Sequence, residues 1–564
     1  MFIKELEEIL KKVVTELGYD SSSVRLIKSN RPELCDYQCD DTFKLAKMYK
    51  KNPLEIGTEI ADKLNQVATF SDYFKTVEFV KPGFITLTVS DSFINKYLTL
   101  ILNSGNLNIT KPIADDMYFI DYGGPNIAKP LHVGHLRPAI IGESLKRIIN
   151  FKGYKTITDV HLGDYGLQIG QVIYGILKDN IKKEDITLAY LEATYPKMSA
   201  LCKSDEEVLN ACQQITKELQ DGNELYQQLW KTIYEISLND IKRIYDNLDV
   251  SFDLWQGESD SYQYIEEMIK YLDNKGVTKL SEGAKIIEVK EENDNKEIPP
   301  FLLQKSNGAY LYGTTDLASI YERMNKYNPN YILYCTDERQ QLHFEQVFRA
   351  AKKGELIKET KLEHIWFGTM NGPDGKPFKT RSGDMLKLDD LFAQVKEGFI
   401  GLKETNKDMN TTDINKIVNA IILFADLQNN RERNYIFDIS KFSDVIGKTG
   451  PYILYTYLRL SKLLSTQTVD LNNNIYNQSD RDLRLKLMEL ELSVDSAFNE
   501  RMPSYIADYV YDICVSANTF YQTNRVNDQD DQTKKEQWII VLALTNRIIE
   551  KLLGLLLIKI PSVM

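Results

Sequence analysis

The chain has 564 residues, of which 43% are hydrophobic and 27% charged, and its net charge is −12 at pH 7. That composition predicts a folded chain of about three or four domains and excludes a disordered, collagen-like or disulfide-framework protein. Six cysteines at 35, 39, 202, 212, 335 and 514 form no C-x-x-C pair, which predicts reduced thiols, a cytoplasmic setting and no zinc site.

The first residues, MFIKELEEILKKVV, mix acids and lysines along an amphipathic helix and lack the apolar core of a signal peptide. Residues 1–110 read as a small α+β domain. Within it NPLEIGTEIADKLNQ is helical, and TVEFVKPGFITLTV alternates around a Pro-Gly turn as a β-hairpin. The polar segment 103–116 is a linker. The apolar strand MYFIDYG, a glycine turn, the helix HLRPAIIGESLKRIINFKGY and the strand KTITDVHLG follow, the opening of a Rossmann-type parallel sheet. Residues 171–300 are charged and mostly helical, with no catalytic-looking cluster, and read as an insertion. The sheet pattern resumes at AYLYGTTDLASI and at YILYCTDERQ. Beyond about 410 the chain is helix after helix. Its most apolar stretch, WIIVLALTNRIIEKLLGLLLIKI, is interrupted by Arg547, Glu550 and Lys551, so it is a core helix and not a membrane span. The expected organisation is multidomain α/β: an α+β domain over 1–110, a parallel-sheet catalytic domain over 111–410, and an all-α domain over 411–564. Net charge does not decide whether nucleic acid is a partner. Residues 1–110 and 440–564 each carry 14 basic and 15 acidic side chains, so the deficit lies in the middle and either end can present a basic face.

The strongest chemical feature is DYGGPNIAKPLHVGHLRPAIIGESL, 121–145. Gly123, Gly124 and Pro125 force a tight turn after the strand, which lets backbone approach a ligand closely. His132 and His135 share one face of the first helical turn, and Gly134 leaves space between them. A helix start favours phosphate, and two imidazoles there can donate hydrogen bonds to developing phosphate charge. A metal pair or two surface histidines are the alternatives; a metal would need further ligands, which no nearby His or Cys supplies. The motif HxGH by itself also serves nucleotidylyltransferases.

The run resembles the HIGH motif of class I aminoacyl-tRNA synthetases, and PNIAKPLHVGHLRPAIIGESL is similar to that of arginyl-tRNA synthetases. The likeness continues through HLGDYGLQIG, YLYGTTDLA, DERQ, GPDGKPFKTRSGD and NYIFDISKFSDVIGKTGPYILYTYLR, in the family's order. FKTRS (378–382) stands where the family's KMSKS loop clamps the ATP phosphates, with Phe378 and Arg381 replacing its two lysines. The resemblance implies that Lys129 supplies the missing charge, so His132, His135, Lys129, Lys379 and Arg381 would act in catalysis, and Gly134 in ATP binding.

A guanidinium is planar and always charged, so it calls for carboxylates and a flat wall. Tyr312 and Asp316, four residues apart, can converge on one. Read alone, Asp316 is a helix cap and Tyr312 a core residue. The resemblance implies that both bind the arginine side chain, together with Asp121, Gly124, Pro125, Asn126, His135 and Gln340. His161, Asp164 and Gln168 resemble a block lining the same pocket. Arginine is distinct enough that no editing site is required. The family's N-terminal domain and helical C-terminal domain contact tRNA, which implies RNA roles for Phe84, Tyr455, Arg459 and Lys462. The bland reading puts Phe84 in a core strand and at least one of Tyr452, Tyr455 and Tyr457 in a bundle core. The expectation is arginine–tRNA ligation using L-arginine, ATP with Mg²⁺ and arginine tRNA, by a monomer without covalent intermediate, zinc or membrane partner. The rivals are a class I synthetase for another amino acid, which would not need the Tyr312/Asp316 pair, and an inactive tRNA-binding relative, which would not need intact His132, His135 and Lys379.

Overall fold

The structure, a computed structural model, describes residues 2–31, 33–67, 70–378, 385–402, 409–463, 471 and 474–564. The chain forms two compact units: residues 1–110 with 455–495 and 508–552, and residues 111–454 with 496–507 and 553–564.

In the first unit the hairpin Phe74–Val80 and Phe84–Val89 closes around Lys81, Pro82 and Gly83, with Val80 facing Phe84. It extends through Tyr37–Cys39 and Ile27–Lys28 into a four-stranded antiparallel sheet. Strand residues alternate, and Ile85, Leu87 and Val89 are fully buried. Gly57 in the helix Pro53–Asn65 lets the ring of Phe79 pack on it; an added Cβ would come within 2.1 Å of that ring. The helix Gln478–Met488 packs against the helix Asp91–Asn103. Arg484, with no exposed surface, donates to Asp480 at 2.6 Å and to Asn95 at 2.5 Å, and Arg481 grips Asp36 through two 2.8 Å bonds. The sequence treats 411–564 as one helical stretch, but the helix Thr411–Leu427 falls in the second unit. Its Ile414, Ile417, Ile421, Ile422 and Phe424 are buried there.

The second unit is built on four parallel strands in the order Lys361–His364, Tyr331–Cys335, Met117–Tyr122, Lys155–Asp159. From Met117–Tyr122 the chain passes to one neighbour through the helix Leu136–Lys152, and later returns on the other side at Tyr331–Cys335. That reversal opens a crevice beyond the carboxyl ends of Tyr122 and Cys335, which lie side by side. The helix Leu136–Lys152 packs so closely that a Cβ on Gly142 would sit 2.2 Å from the Tyr122 ring. The insertion is helical through Leu188–Ser204, Glu206–Gln220, Glu224–Asn247 and Ile265–Asn274. Its last part is an antiparallel sheet of Thr278–Ser281, Ala284–Ile287 and Phe301–Gln304. Glu282 and Gly283, at φ +49° and +80°, form the two-residue turn whose twist suits a hairpin. The strand expected at AYLYGTTDLASI is instead the start of the helix Tyr312–Lys326. There Thr314 Oγ1 accepts from the Leu311 N–H at 3.2 Å and donates to the Leu303 carbonyl at 2.7 Å. Among the described residues no helix is long and apolar enough to cross a membrane.

Candidate active site

The crevice is a cavity of about 370 Å³. Its walls bring together Asp121, Gly124, Asn126, His132, Gly134, His135, Tyr312, Asp316 and Gln340, gathered from the ends of two sheet strands and from two helix starts. Pro125 and Lys129 stand outside its lining, and Lys379 and Arg381 lie outside the described residues.

Gly123 and Gly124 adopt φ +93° and +40°, so the turn after Met117–Tyr122 needs glycine. The Gly124 N–H donates to the Val160 carbonyl at 2.9 Å, which ties the turn to the next strand's exit. His132 is the cap residue before a 3₁₀ turn, Val133–His135, and the α-helix starts at Leu136. The two imidazoles stack with centroids 3.9 Å apart. A Cβ on Gly134 would come 2.9 Å from the His132 ring. Each Nδ1 is an acceptor: the His132 N–H donates to His135, and the Gly134 N–H to His132, both at 3.1 Å. That fixes the remaining proton on Nε2 in both rings. Burial lowers the pKa of both, with the Lys129 charge adding to it, and His135 falls to about 3. The pair is therefore neutral near pH 7 and presents two Nε2–H donors. The 131–133 segment is also held from outside: the Val133 N–H donates to the Leu386 carbonyl at 2.9 Å, and the Leu388 N–H to that of Leu131 at 3.0 Å. The Lys129 ammonium stands over the ring of Tyr195, 4.3 Å from its centroid.

The acidic side of the cavity is richer than the sequence reading expects. Asp316 is not a helix cap. It lies in the second turn of Tyr312–Lys326, almost buried, and its Oδ2 is 2.6 Å from His343 Nε2. The His343 ring also packs on Tyr312 at 4.9 Å. Asp121 and Asp159 both accept from Arg323, at 2.6 and 3.0 Å, and Arg323 is 2% exposed. His161 adds Nδ1 at 3.5 Å from Asp159. Burial lowers its pKa, but the bond to Asp159 and the charge of Asp121 outweigh that and raise it to about 9. Asp121, Asp159 and His161 are near enough to hold a cation, yet the Arg323 guanidinium already occupies both carboxylates. Asp164, pushed up to about 6 by burial, accepts from Ser259 at 2.6 and 3.0 Å, and Gln168 donates to Asn126 at 3.3 Å.

Glu258 is the largest omission of the sequence reading, since it lies in the segment judged to have no catalytic-looking cluster. It lines the cavity, and burial raises its pKa to about 7, with Asp164 and Asp316 adding to it. Three buried polar atoms on the cavity wall, His161 Nε2, Tyr334 Oη and Gln340 Oε1, find no partner among the described residues. Unpaired polar atoms of this kind mark places a ligand fills.

In the first unit, Tyr455 is 47% exposed, Arg459 lies 4.3 Å from the centroid of the Tyr521 ring, and Lys462 is exposed. Tyr457 is half-buried there and donates to Glu550 at 3.3 Å, while Tyr452, also half-buried, belongs to the second unit. Phe84 is half-buried against Phe43 at 5.8 Å.

The family profile "tRNA synthetases class I (R), catalytic domain" matches residues 98–439. "Arginyl tRNA synthetase N terminal domain" matches 2–89 and "DALR anticodon binding domain" matches 453–564. The chain is 40% identical to the arginine–tRNA ligase of Alkaliphilus oremlandii, with 100% of each covered. It is 38% identical to that of Agathobacter rectalis, with 99% of each covered. Its fold resembles the solved arginyl-tRNA synthetase of Plasmodium falciparum, with a TM-score of 0.84 at 24% identity over 100% of this chain and 99% of that one. Three family regions in order along one chain, with likeness to curated ligases from end to end, make this chain a member of the class I arginyl-tRNA synthetases, the arginine–tRNA ligases.

Proposed function

We propose that arginine activation takes place in this cavity and that the work divides between its two kinds of wall. The observation that carries the reading is the coexistence, in one space of about 370 Å³, of two neutral imidazole donors, the buried carboxyls of Asp316 and Asp121, and the half-buried carboxyl of Glu258. Asp316 and Glu258 take the substrate guanidinium, with Tyr312 as its flat wall. Asp121, already paired with Arg323, adds field and not a full charge. Gln340 Oε1 and the Asn126 side chain orient the α-amino group, beside the backbone of Gly124 and Pro125.

The arginine carboxylate oxygen then attacks the α-phosphorus of ATP. A P–O bond to arginine forms, the P–O bond to the β-phosphate breaks, and pyrophosphate leaves with the electron pair. The Nε2–H groups of His132 and His135 meet the charge that builds on the phosphate oxygens, and Gly134 keeps backbone close to the nucleotide. Lys129 adds the cation that FKTRS lacks, with Lys379 and Arg381. Mg²⁺ enters with ATP as its counter-ion, and the reading assigns no resident zinc. The arginyl group passes to the 3′-terminal ribose of the arginine tRNA. Phe84 on one side, and Tyr455, Arg459 and Lys462 on the other, serve tRNA contact, a stacking and phosphate-pairing set. The enzyme acts as a cytoplasmic monomer of three functional parts: 1–110 and the helical region from 453 onward for tRNA, and the parallel-sheet region with the helix Thr411–Leu427 for chemistry. The test is arginine-dependent ATP–pyrophosphate exchange with arginine tRNA present. Loss in His135→Ala and in Asp316→Asn, through ATP turnover in the first and arginine KM in the second, is the expected pattern; both variants acting on the same parameter would overturn the division of roles.

A further inference from the structure

The helix Leu188–Ser204 of the insertion is anchored by one stripe. Leu191, Thr194, Met198 and Cys202 are buried, and Thr194 and Met198 close over Gly175 of the helix Leu167–Lys178, where an added Cβ would come 2.4 Å from Thr194. A neighbouring face, three residues apart and so on one side of the helix, carries Glu192 and Tyr195. Both reach lysines that flank the His132 turn. Tyr195 lies under the Lys129 ammonium at 4.3 Å, and Glu192 binds Lys387 Nζ at 2.7 Å. These lysines flank one ribbon. Residues 131–133 pair with 386–388 through the Val133–Leu386 and Leu388–Leu131 bonds, and His132 stands opposite Lys387 in it. The helix thus holds both arms of the ribbon from which His132 and His135 face the cavity. Pro196, which has no N–H for the Glu192 carbonyl, interrupts the helix ladder at this same point.

We propose that Glu192 and Tyr195 are positioning residues, through which the insertion helix sets Lys129 and the His132 ribbon for the ATP phosphates. This rests on the reading of Lys129 as a phosphate cation. A lysine stem has four rotatable carbons and a high rotamer entropy, and a ring face that holds its ammonium near the site reduces the ordering still to be done when ATP binds. The insertion then has a function that needs no editing chemistry.

The test uses the full chain with arginine tRNA, reading the ATP dissociation constant by calorimetry and ATP–pyrophosphate exchange. Tyr195→Leu keeps apolar bulk and removes the π face; Tyr195→Phe keeps the face. The Leu variant is expected to weaken ATP binding about fivefold to twentyfold, the span of a partly desolvated cation–π contact. Arginine KM should stay within about twofold, since no guanidinium contact changes. The Phe variant should match wild type. Glu192→Gln should cost less, about twofold to fivefold, because Lys387 is 44% exposed. The deciding measurement is the pair with Lys129→Met. In that background Tyr195→Leu should have no further effect on ATP, whereas a merely structural residue would act equally in both backgrounds. An additive double variant, or a Leu variant that binds ATP like wild type while Lys129→Met does not, removes the brace and leaves Lys129 standing. Lys129→Met with wild-type ATP affinity removes both.

Discussion

Asp316→Asn separates charge from shape at the guanidinium site. The side chain is 7% exposed, and its Oδ2 is 2.6 Å from His343 Nε2. Asparagine is nearly isosteric, and its amide oxygen can take the His343 bond, so the helix Tyr312–Lys326 and the Tyr312–His343 ring contact should persist. What is lost is one negative charge facing a desolvated cation. Removing one partner of a buried charge pair costs roughly 2–5 kcal/mol. Glu258 and Asp121 share the load in this cavity, which points to the lower part of that range, about 2–3 kcal/mol. At about 1.4 kcal/mol per decade, arginine KM should rise about 30- to 150-fold. ATP KM should move less than about threefold, because the imidazole donors are untouched. Steady-state exchange with arginine tRNA, varying each substrate in turn, separates the two. The same variant should discriminate less against citrulline, the uncharged isostere. An equal rise in both KM values, or none, would return Asp316 to a structural role.

His132→Ala and His135→Ala should each lower kcat for exchange by about 10²–10³, the usual loss for one preorganised donor; single-turnover adenylate formation at wild-type speed would end that assignment. Glu258 should make arginine binding pH-dependent. Its pKa is raised to about 7 by burial. A cation binds the ionised form, so arginine releases a proton on entry, and arginine KM should climb as pH falls below about 7, approaching tenfold per unit. Glu258→Gln should flatten that profile while raising KM at pH 8; an unchanged profile would remove Glu258 from the site. His135 should add no titration of kcat between pH 6 and 8, since burial lowers its pKa to about 3. Exchange should also depend on tRNA. FKTRS lacks the usual lysines, so a competent arrangement populated at about 1% without tRNA would leave about a hundredth of the rate; full exchange by the enzyme alone would contradict this.

The nucleotide half of the site was legible because its chemistry is local. Gly123, Gly124, His132, Gly134 and His135 sit within thirteen residues, and the positive φ values and the 2.9 Å approach at Gly134 are properties a short motif can encode. The acidic half was legible only where the resemblance reached. Asp316 and Arg323 are seven residues apart on one helix face, a spacing that a sequence shares with any solvated polar stripe; only the sheet packed against it, with Asp121 and Asp159, shows that the stripe is buried. Glu258 was hidden for the same reason, one of two acids in WQGESDS, distinguished only by the cavity the fold turns it toward. Chain order also misled at the C-terminal end. The periodicity of 411–564 is helical throughout, but which helices share a core depends on pairings such as Arg481 with Asp36 that lie hundreds of residues apart.

The most direct measurement is ATP–pyrophosphate exchange by the purified chain with arginine tRNA, screened across the twenty amino acids and repeated with Asp316→Asn and Glu258→Gln. Arginine alone should support exchange, and each variant should need more arginine for half-maximal rate with little change in its need for ATP. Exchange driven equally well by another amino acid, or variants that keep the wild-type arginine requirement, would contradict a cavity built from neutral phosphate-facing imidazoles and guanidinium-facing acids.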